Sequence, residues 1–545
     1  MPAKLHYEAD VIIVGAGIAG IITAVELLEA GKRVLLIDRD VEEQLGGLAK
    51  WAFGGMFFVD TKHQRRNGIK DSIDLAMRDW FAFADFTEEE YWGKKWAEQY
   101  IHLCTDHGYH WLRRNGLDFF RVLNWAERGL NNDGNSVPRF HMVWGTGWEL
   151  TQVFNQRLRG HKNNHLVDIK YEHRVTDLLG GKDGVTGVRG KLEGSDEEFT
   201  ASGEIVVVAT GGINGNIQKI KENWYPTWGT PPEVILNGAH KYAQGDLHEA
   251  TSAIKGNIVN LDKQWNYAAG IRHYAPRKPD HGLSLVPCKT AVWLNYRGER
   301  MGPEPLITAY DTRYLVERIC EEEQKYSWQV LNYKIMLKEF AISGSEHNPA
   351  FRDKKFFQVL KTVLLGNKPL VSKVINDCED VLVADTLEEL VEKMNALQGT
   401  NDVQLSAVRE AVENYDRSIT QGPPYTDKQQ QRIHHARKWR GDKARTSNMA
   451  KIGDPKKGPF VAIREFILSR KSLGGIQTDL ECRVLTEKDA QGQQAPIPGL
   501  YAIGEAAGFG GGGMHGHRSL EGTFLGGCVI TARVAAAAIL GRKLE

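Results

Sequence analysis

The 545-residue sequence predicts an α/β fold in two lobes, a parallel-sheet domain interrupted by an inserted α+β domain. Three observations lead there. A complete βαβ pattern opens the chain, two more strand-then-glycine patterns recur near residues 205 and 498, and the stretch from about 265 to 463 has no glycine fingerprint. A chain of this length exceeds what one hydrophobic core usually serves. The expected boundaries are therefore 1–264 for the first part of the sheet domain, 265–463 for the insert and 464–545 for the return.

Asp10 to Asp38 reads as one unit: the apolar strand Val11 to Val14, the turn Gly15-Ala16-Gly17-Ile18-Ala19-Gly20, an apolar helix to Ala30 and the strand Val34 to Ile37. Gly15 permits the tight turn, Gly17 lets backbone approach a pyrophosphate, and Gly20 lets the helix pack closely on the sheet. The helix start offers unpaired N–H groups and a positive dipole end to phosphates. Asp38, with Arg39 beside it, closes the second strand 23 residues after Gly15, where a carboxylate can accept from ribose hydroxyls. The unit is thus Rossmann-like. A plain tight turn in an ordinary α/β sheet would not require the acid.

A second glycine-rich stretch follows, with Gly46, Gly47, Gly54 and Gly55 around Trp51, and it can pass close to an extended cofactor. Ile205 to Val208 reads as a buried strand ending in Ala209, Thr210 and Gly211. Pro498 to Glu505 repeats the layout, ends in Gly504 and Glu505, and precedes an apolar, alanine-rich stretch from Gly522 to Leu540. The later match Gly511-x-Gly513-x-x-Gly516 lacks an acid-ended strand about twenty residues on, so a separate nicotinamide domain is not expected.

Composition narrows the class further. Hydrophobic residues at 41% and charged residues at 25% give the balance of a folded globular chain. Acidic and basic residues cancel at 69 each, so no global field draws in nucleic acid or an anionic membrane. No apolar run is long enough to cross a bilayer, and the N-terminus lacks the pattern of a signal peptide. The six cysteines never form C-x-x-C, which signals neither a dithiol centre nor a metal site. A cytoplasmic location is expected.

Four segments together resemble the FAD-dependent fumarate reductase and 3-ketosteroid dehydrogenase superfamily, the "FAD-binding domain 2" flavoproteins, most closely the ketosteroid-dehydrogenase-related group. They are Gly15 to Gly20, Ala209 to Gly212, Ser472 to Asp479, and Gly504 through Arg518 to Gly527. The resemblance implies a bound FAD, its adenine end on the first fifty residues and its flavin end beneath the C-terminal segment. It adds Val175, Asp246, Thr523, Phe524 and Leu525 to the residues expected at the cofactor. Residues 46 to 55 contain no histidine for a covalent link, so noncovalent FAD is expected.

By the same resemblance His515, His517 and Arg518 are the polar groups nearest the substrate side, and their types suit proton transfer and carbonyl orientation. The alternative is that they pin a glycine-rich loop. From the insert, Tyr267, Arg272, Tyr274, Trp293 and Tyr310 are candidates to stabilise a developing enolate. Residues 431 to 458 carry nine basic residues against Asp442 and Asp454, read as a solvated basic face or, alternatively, a site for an anionic substrate or electron-transfer partner. The expected activity is hydride transfer between flavin N5 and a carbon–carbon bond next to a carbonyl in a hydrophobic substrate, with an unassigned electron acceptor or donor. An FAD oxidase of amines or alcohols, and a flavin-bearing binding protein without turnover, are the alternatives.

Overall fold

The computed structural model describes residues 5–544. Its nucleotide-binding sheet has the strand order Arg483–Leu485, Pro496–Ala502, Ile205–Val208, Val11–Val14, Val34–Ile37, Val167–Lys170. All neighbours run parallel except the first pair. The central strands are wholly apolar because both faces are covered. On one face, helices Ile18–Glu29 and Thr523–Ile539 pack against each other. Gly20 is what lets the first of these close down, since a Cβ there would stand 2.0 Å from the Gly15 carbonyl oxygen.

The inserted lobe is built on an eight-stranded sheet around the long strand Phe460–Ser472. Gln264–Arg272 and Tyr326–Asn332 flank it, both antiparallel to it. The expected boundary at 264/265 falls at the first residue of one of these strands, and that at 463/464 falls inside the other. The long strand is continuous from the cap sheet to Ser472, whose hydroxyl and backbone N–H meet Ile213 and Glu505 of the nucleotide-binding lobe. Two strands therefore carry side chains from the cap straight into the junction. Their register sets Trp265 beside Lys471 and Tyr267 beside Leu468.

Among the described residues no helix is long and apolar enough to cross a membrane.

Candidate active site

A cleft of about 1400 Å³ lies where four parallel strands end, bordered by Gly15, Asp38, Ala209 and Gly504. This is the crevice at which open α/β sheets receive ligands. Gly15 has a φ of +107°, and a Cβ there would lie 2.4 Å from the Ala209 carbonyl oxygen. Gly17 caps the helix, and a Cβ on it would meet nothing within 4 Å, so its backbone is open to the cleft. Gly46 and Gly47 lie against it, Gly46 bridging to Gly17.

At one end Asp38 accepts from the Ala16 N–H at 2.5 Å and the Asp40 N–H at 2.7 Å. Burial pushes its carboxyl pKa up against those hydrogen bonds. Arg39 is paired with Glu193 at 2.7 Å and Asp246 at 3.3 Å and stacks 4.3 Å over the Tyr242 ring. Asp246 is the first residue of its helix and Gly245 the N-cap; the carboxylate also receives Arg174 at 3.0 Å. Val175, Thr210 and Gly211 complete this part of the wall.

At the other end Phe524 and Leu525 present the first turn of helix Thr523–Ile539, with Cys528 in the next turn, joined by Arg470, Lys471 and Glu505. The first four N–H groups of a helix lack intrahelical partners, so this turn offers donors and a positive dipole end. Glu505 takes the Ser472 N–H at 3.0 Å, and burial pushes its carboxyl up to about 7. A glycine cradle with an acid at one end and a helix N-terminus at the other fits FAD: phosphates by the glycines, ribose by Asp38, and an electron-rich ring edge at the helix start.

A second cavity, about 1170 Å³, opens in the cap and shares its boundary with the first through one cluster. Glu521 receives the Tyr267 hydroxyl at 2.7 Å and the Trp265 indole N–H at 2.9 Å, both on Oε1. Oε2 of Glu521 makes no hydrogen bond among the described residues. The Lys471 ammonium donates to the Tyr267 oxygen at 3.2 Å and sits 3.9 Å from the Phe524 ring centroid. Tyr267 and Glu521 line the cap cavity while Lys471 and Phe524 line the cleft, so the cluster is the wall between them. Burial, then the Glu521 charge, push the Tyr267 pKa well up and keep it a phenol. Glu127, which also lines the cap cavity, accepts from both groups of Thr312; burial and the Glu521 charge push its carboxyl well up.

Burial likewise pushes the Lys471 pKa down to about 8, reinforced by Arg470 and opposed by Glu521. The free lysine titrates near 10.4. The unfolded chain therefore holds this proton over a pH range in which the folded chain has released it, and stability rises with pH from about 8 towards 10.4. Lys471→Met is accordingly expected to raise the melting temperature of the apoprotein at pH 7, with the gain narrowing by pH 9.5; thermal melts at the two pH values check it.

Several residues expected at the cofactor stand behind the cleft wall rather than in it. Ala16 acts through its N–H on Asp38, and Gly20 through packing on Gly15. Trp51 points at Arg277, whose guanidinium is 5.0 Å from its ring, and its carbonyl receives the Ser345 N–H. Gly54 and Gly55 give room to Gly147 and the Phe140 ring. Gly522 is the N-cap of the last helix at φ +101°, and Thr523 bonds to Leu520 and His515.

The three C-terminal candidates line neither cavity. His515 is fully buried, stacked 5.9 Å from Trp80 and bonded to Thr523 at 2.9 Å; burial pushes it down to about 3. His517 packs edge-on to Tyr225 and is also pushed down to about 3, by burial and by the Lys263 and Arg313 charges. Arg518 is engaged by Asp311 and Asp85, each at 3.2 Å. Of the cap candidates, Tyr267 and Trp293 reach the cavity. Tyr310 donates to the Arg432 carbonyl, Arg272 is paired with Asp380, and Tyr274 meets His347.

Sequence reasoning passed over Glu521, Lys471, Glu127 and Arg445. Glu521 alone had a local signal, an acid directly before the glycine that caps the last helix. A trio of His273, Glu346 and His347 also converges, with ligand atoms within 4.8 Å of one another, from positions whose spacing gives no metal signature.

Residues 10–525 match the FAD binding domain family. A KsdD-like steroid dehydrogenase of Mycobacterium tuberculosis is 40% identical over 97% of this chain and 95% of its own length. One from Mycolicibacterium smegmatis is 40% identical over 95% of this chain and 96% of its own. Among solved structures, a 3-ketosteroid delta1-dehydrogenase from Sterolibacterium denitrificans shares the fold, with a TM-score of 0.72 at 17% identity over 98% of this chain and 99% of that one. The family match spans the strands that border the cleft, the cap and the first turn of the last helix, and the two relatives cover nearly the whole chain: it belongs to the FAD binding domain family and, within it, to the KsdD-like steroid dehydrogenases, as an FAD-dependent oxidoreductase.

Proposed function

We propose that this protein is a 3-ketosteroid dehydrogenase, working on a carbon–carbon bond next to a carbonyl, with its substrate in the cap cavity. The observation that carries this reading is the shared wall of Tyr267, Glu521 and Lys471 between that cavity and the FAD cleft. When bound, FAD supplies the two-electron hydride acceptor. Glu521 takes the proton from the carbon next to the carbonyl on its free Oε2, while Tyr267 and Trp265 hold Oε1 and fix the carboxylate. Hydride leaves the neighbouring carbon towards the cleft, and the double bond forms between the two. Glu127 lines the same cavity, with both carboxyl oxygens accepting from Thr312. Tyr267 is a positioning residue here, and His515, His517 and Arg518 hold the loop that leads to Glu521. Trp293 forms part of the apolar wall on which steroid rings pack.

The cytoplasm is proposed as its location, with all six cysteines free thiols.

Anaerobic titration of the purified yellow protein with 3-ketosteroids tests the reading. Bleaching of the flavin by a saturated 3-ketosteroid, with stoichiometric appearance of the enone, is the expected result. Flavin that stays oxidised with every steroid but bleaches with an amine or alcohol would return the oxidase reading. Acid precipitation is expected to release all of the FAD into the supernatant, because no covalent link holds it.

A further inference from the structure

Resting on the steroid reading above, we propose that the preferred substrates carry a carboxylate side chain, and that Arg445 is the specificity-determining residue that receives it. Arg445 ends the cap helix Arg440–Arg445 and lines the substrate cavity. Among the described residues its guanidinium has one hydrogen bond, to the Glu339 carbonyl oxygen at 3.2 Å, and no ion pair.

The acids around it are already engaged. Asp442 is shared between Arg128 at 2.6 Å and Lys289 at 3.2 Å. The Glu339 carboxylate takes the Thr290 N–H at 3.1 Å, the Thr290 hydroxyl and the Ser447 N–H at 2.7 Å. Asp442 and Glu339 are thus held by Arg128, Lys289, Thr290 and Ser447, and the carboxylate of neither makes an ion pair with Arg445.

A guanidinium partly withdrawn from water, with one hydrogen bond and no ion pair, gains from a carboxylate that pairs with it. Burial pushes the Arg445 pKa down, and the Asp442 and Glu339 charges offset this only in part. A planar carboxylate from the ligand would supply the missing partner in a paired geometry that Arg recognises better than Lys. The cavity is lined by apolar Trp293, Leu285 and Ala268 as well as by Arg445, so it offers surfaces of matching chemistry to a ring system and to an acidic side chain. A wholly apolar steroid would leave Arg445 uncompensated.

The experiment compares 3-oxo-5α-cholan-24-oic acid with its methyl ester on the FAD-loaded enzyme, following reduction of an artificial acceptor at steady state. The acid is expected to show at least a tenfold lower KM than the ester. Arg445→Gln is expected to remove that difference, and Arg445→Lys to keep part of it. Equal KM values for acid and ester in the unaltered enzyme would overturn the proposal, as would an acid preference that survives in Arg445→Gln. The comparison in the unaltered enzyme decides even where a variant fails to fold. Bleaching by 5α-androstane-3,17-dione but by neither cholanoate overturns this inference and leaves the dehydrogenase standing; bleaching by no steroid at all overturns both.

Discussion

Glu521→Gln is expected to lower kcat for 3-ketosteroid oxidation by about 10²–10⁴-fold, the usual worth of a positioned proton-transfer group. The amide keeps the volume and can still accept from Tyr267 and Trp265, so the cavity wall should persist. What it loses is the basicity that takes the proton. FAD content should not change, because Glu521 lies on the cap-cavity side of the wall. Rapid-reaction measurement of flavin bleaching, with KM and kcat read separately, checks the prediction. A fall in kcat with little movement of KM supports the role, whereas unchanged bleaching would transfer proton abstraction to another group. Tyr267→Phe makes the companion test. It removes one donor to Glu521 and leaves the ring, so a smaller loss in kcat is expected.

Gly15→Val is expected to yield a colourless protein. At φ +107° any side chain is strained by about 1–3 kcal/mol, and here the Cβ would also stand 2.4 Å from the Ala209 carbonyl oxygen on the neighbouring strand. Relief requires the turn to move away from Ala209, which displaces the N–H groups that meet the pyrophosphate. Flavin absorbance of the purified variant, with circular dichroism to show that the fold persists, measures this. Gly31→Val provides the contrast: Gly31 also has positive φ, but a Cβ there meets nothing within 4 Å, so the variant should stay yellow at a modest cost in stability.

Much of the cofactor cleft was legible because its parts are local. Strand, turn, helix and acid lie within Asp10 to Asp38, and each obeys a short-range rule of periodicity or backbone freedom. The last helix was legible for the same reason: the apolar run from Gly522 corresponds to Thr523–Ile539 with Gly522 as its cap. His515, His517 and Arg518 have types that suit catalysis, but residue type gives no sign of their neighbours Trp80, Tyr225, Asp311 and Asp85, all remote in sequence.

The sequence by itself determined a Rossmann-like sheet with an inserted lobe, an FAD cleft at the ends of its strands, and the family to which these belong, because periodicity and glycine geometry act over a few residues. Only the tertiary structure decided which side chains share the wall between cleft and cap. Tyr267 and Lys471 arrive on two antiparallel strands whose residues 267 and 471 are 204 positions apart, and Glu521 comes from a third segment. Arg445 becomes conspicuous only once Asp442 and Glu339 are seen to be engaged by other groups. Strand register and charge compensation are properties of neighbours in space, and one chain read in order does not contain them.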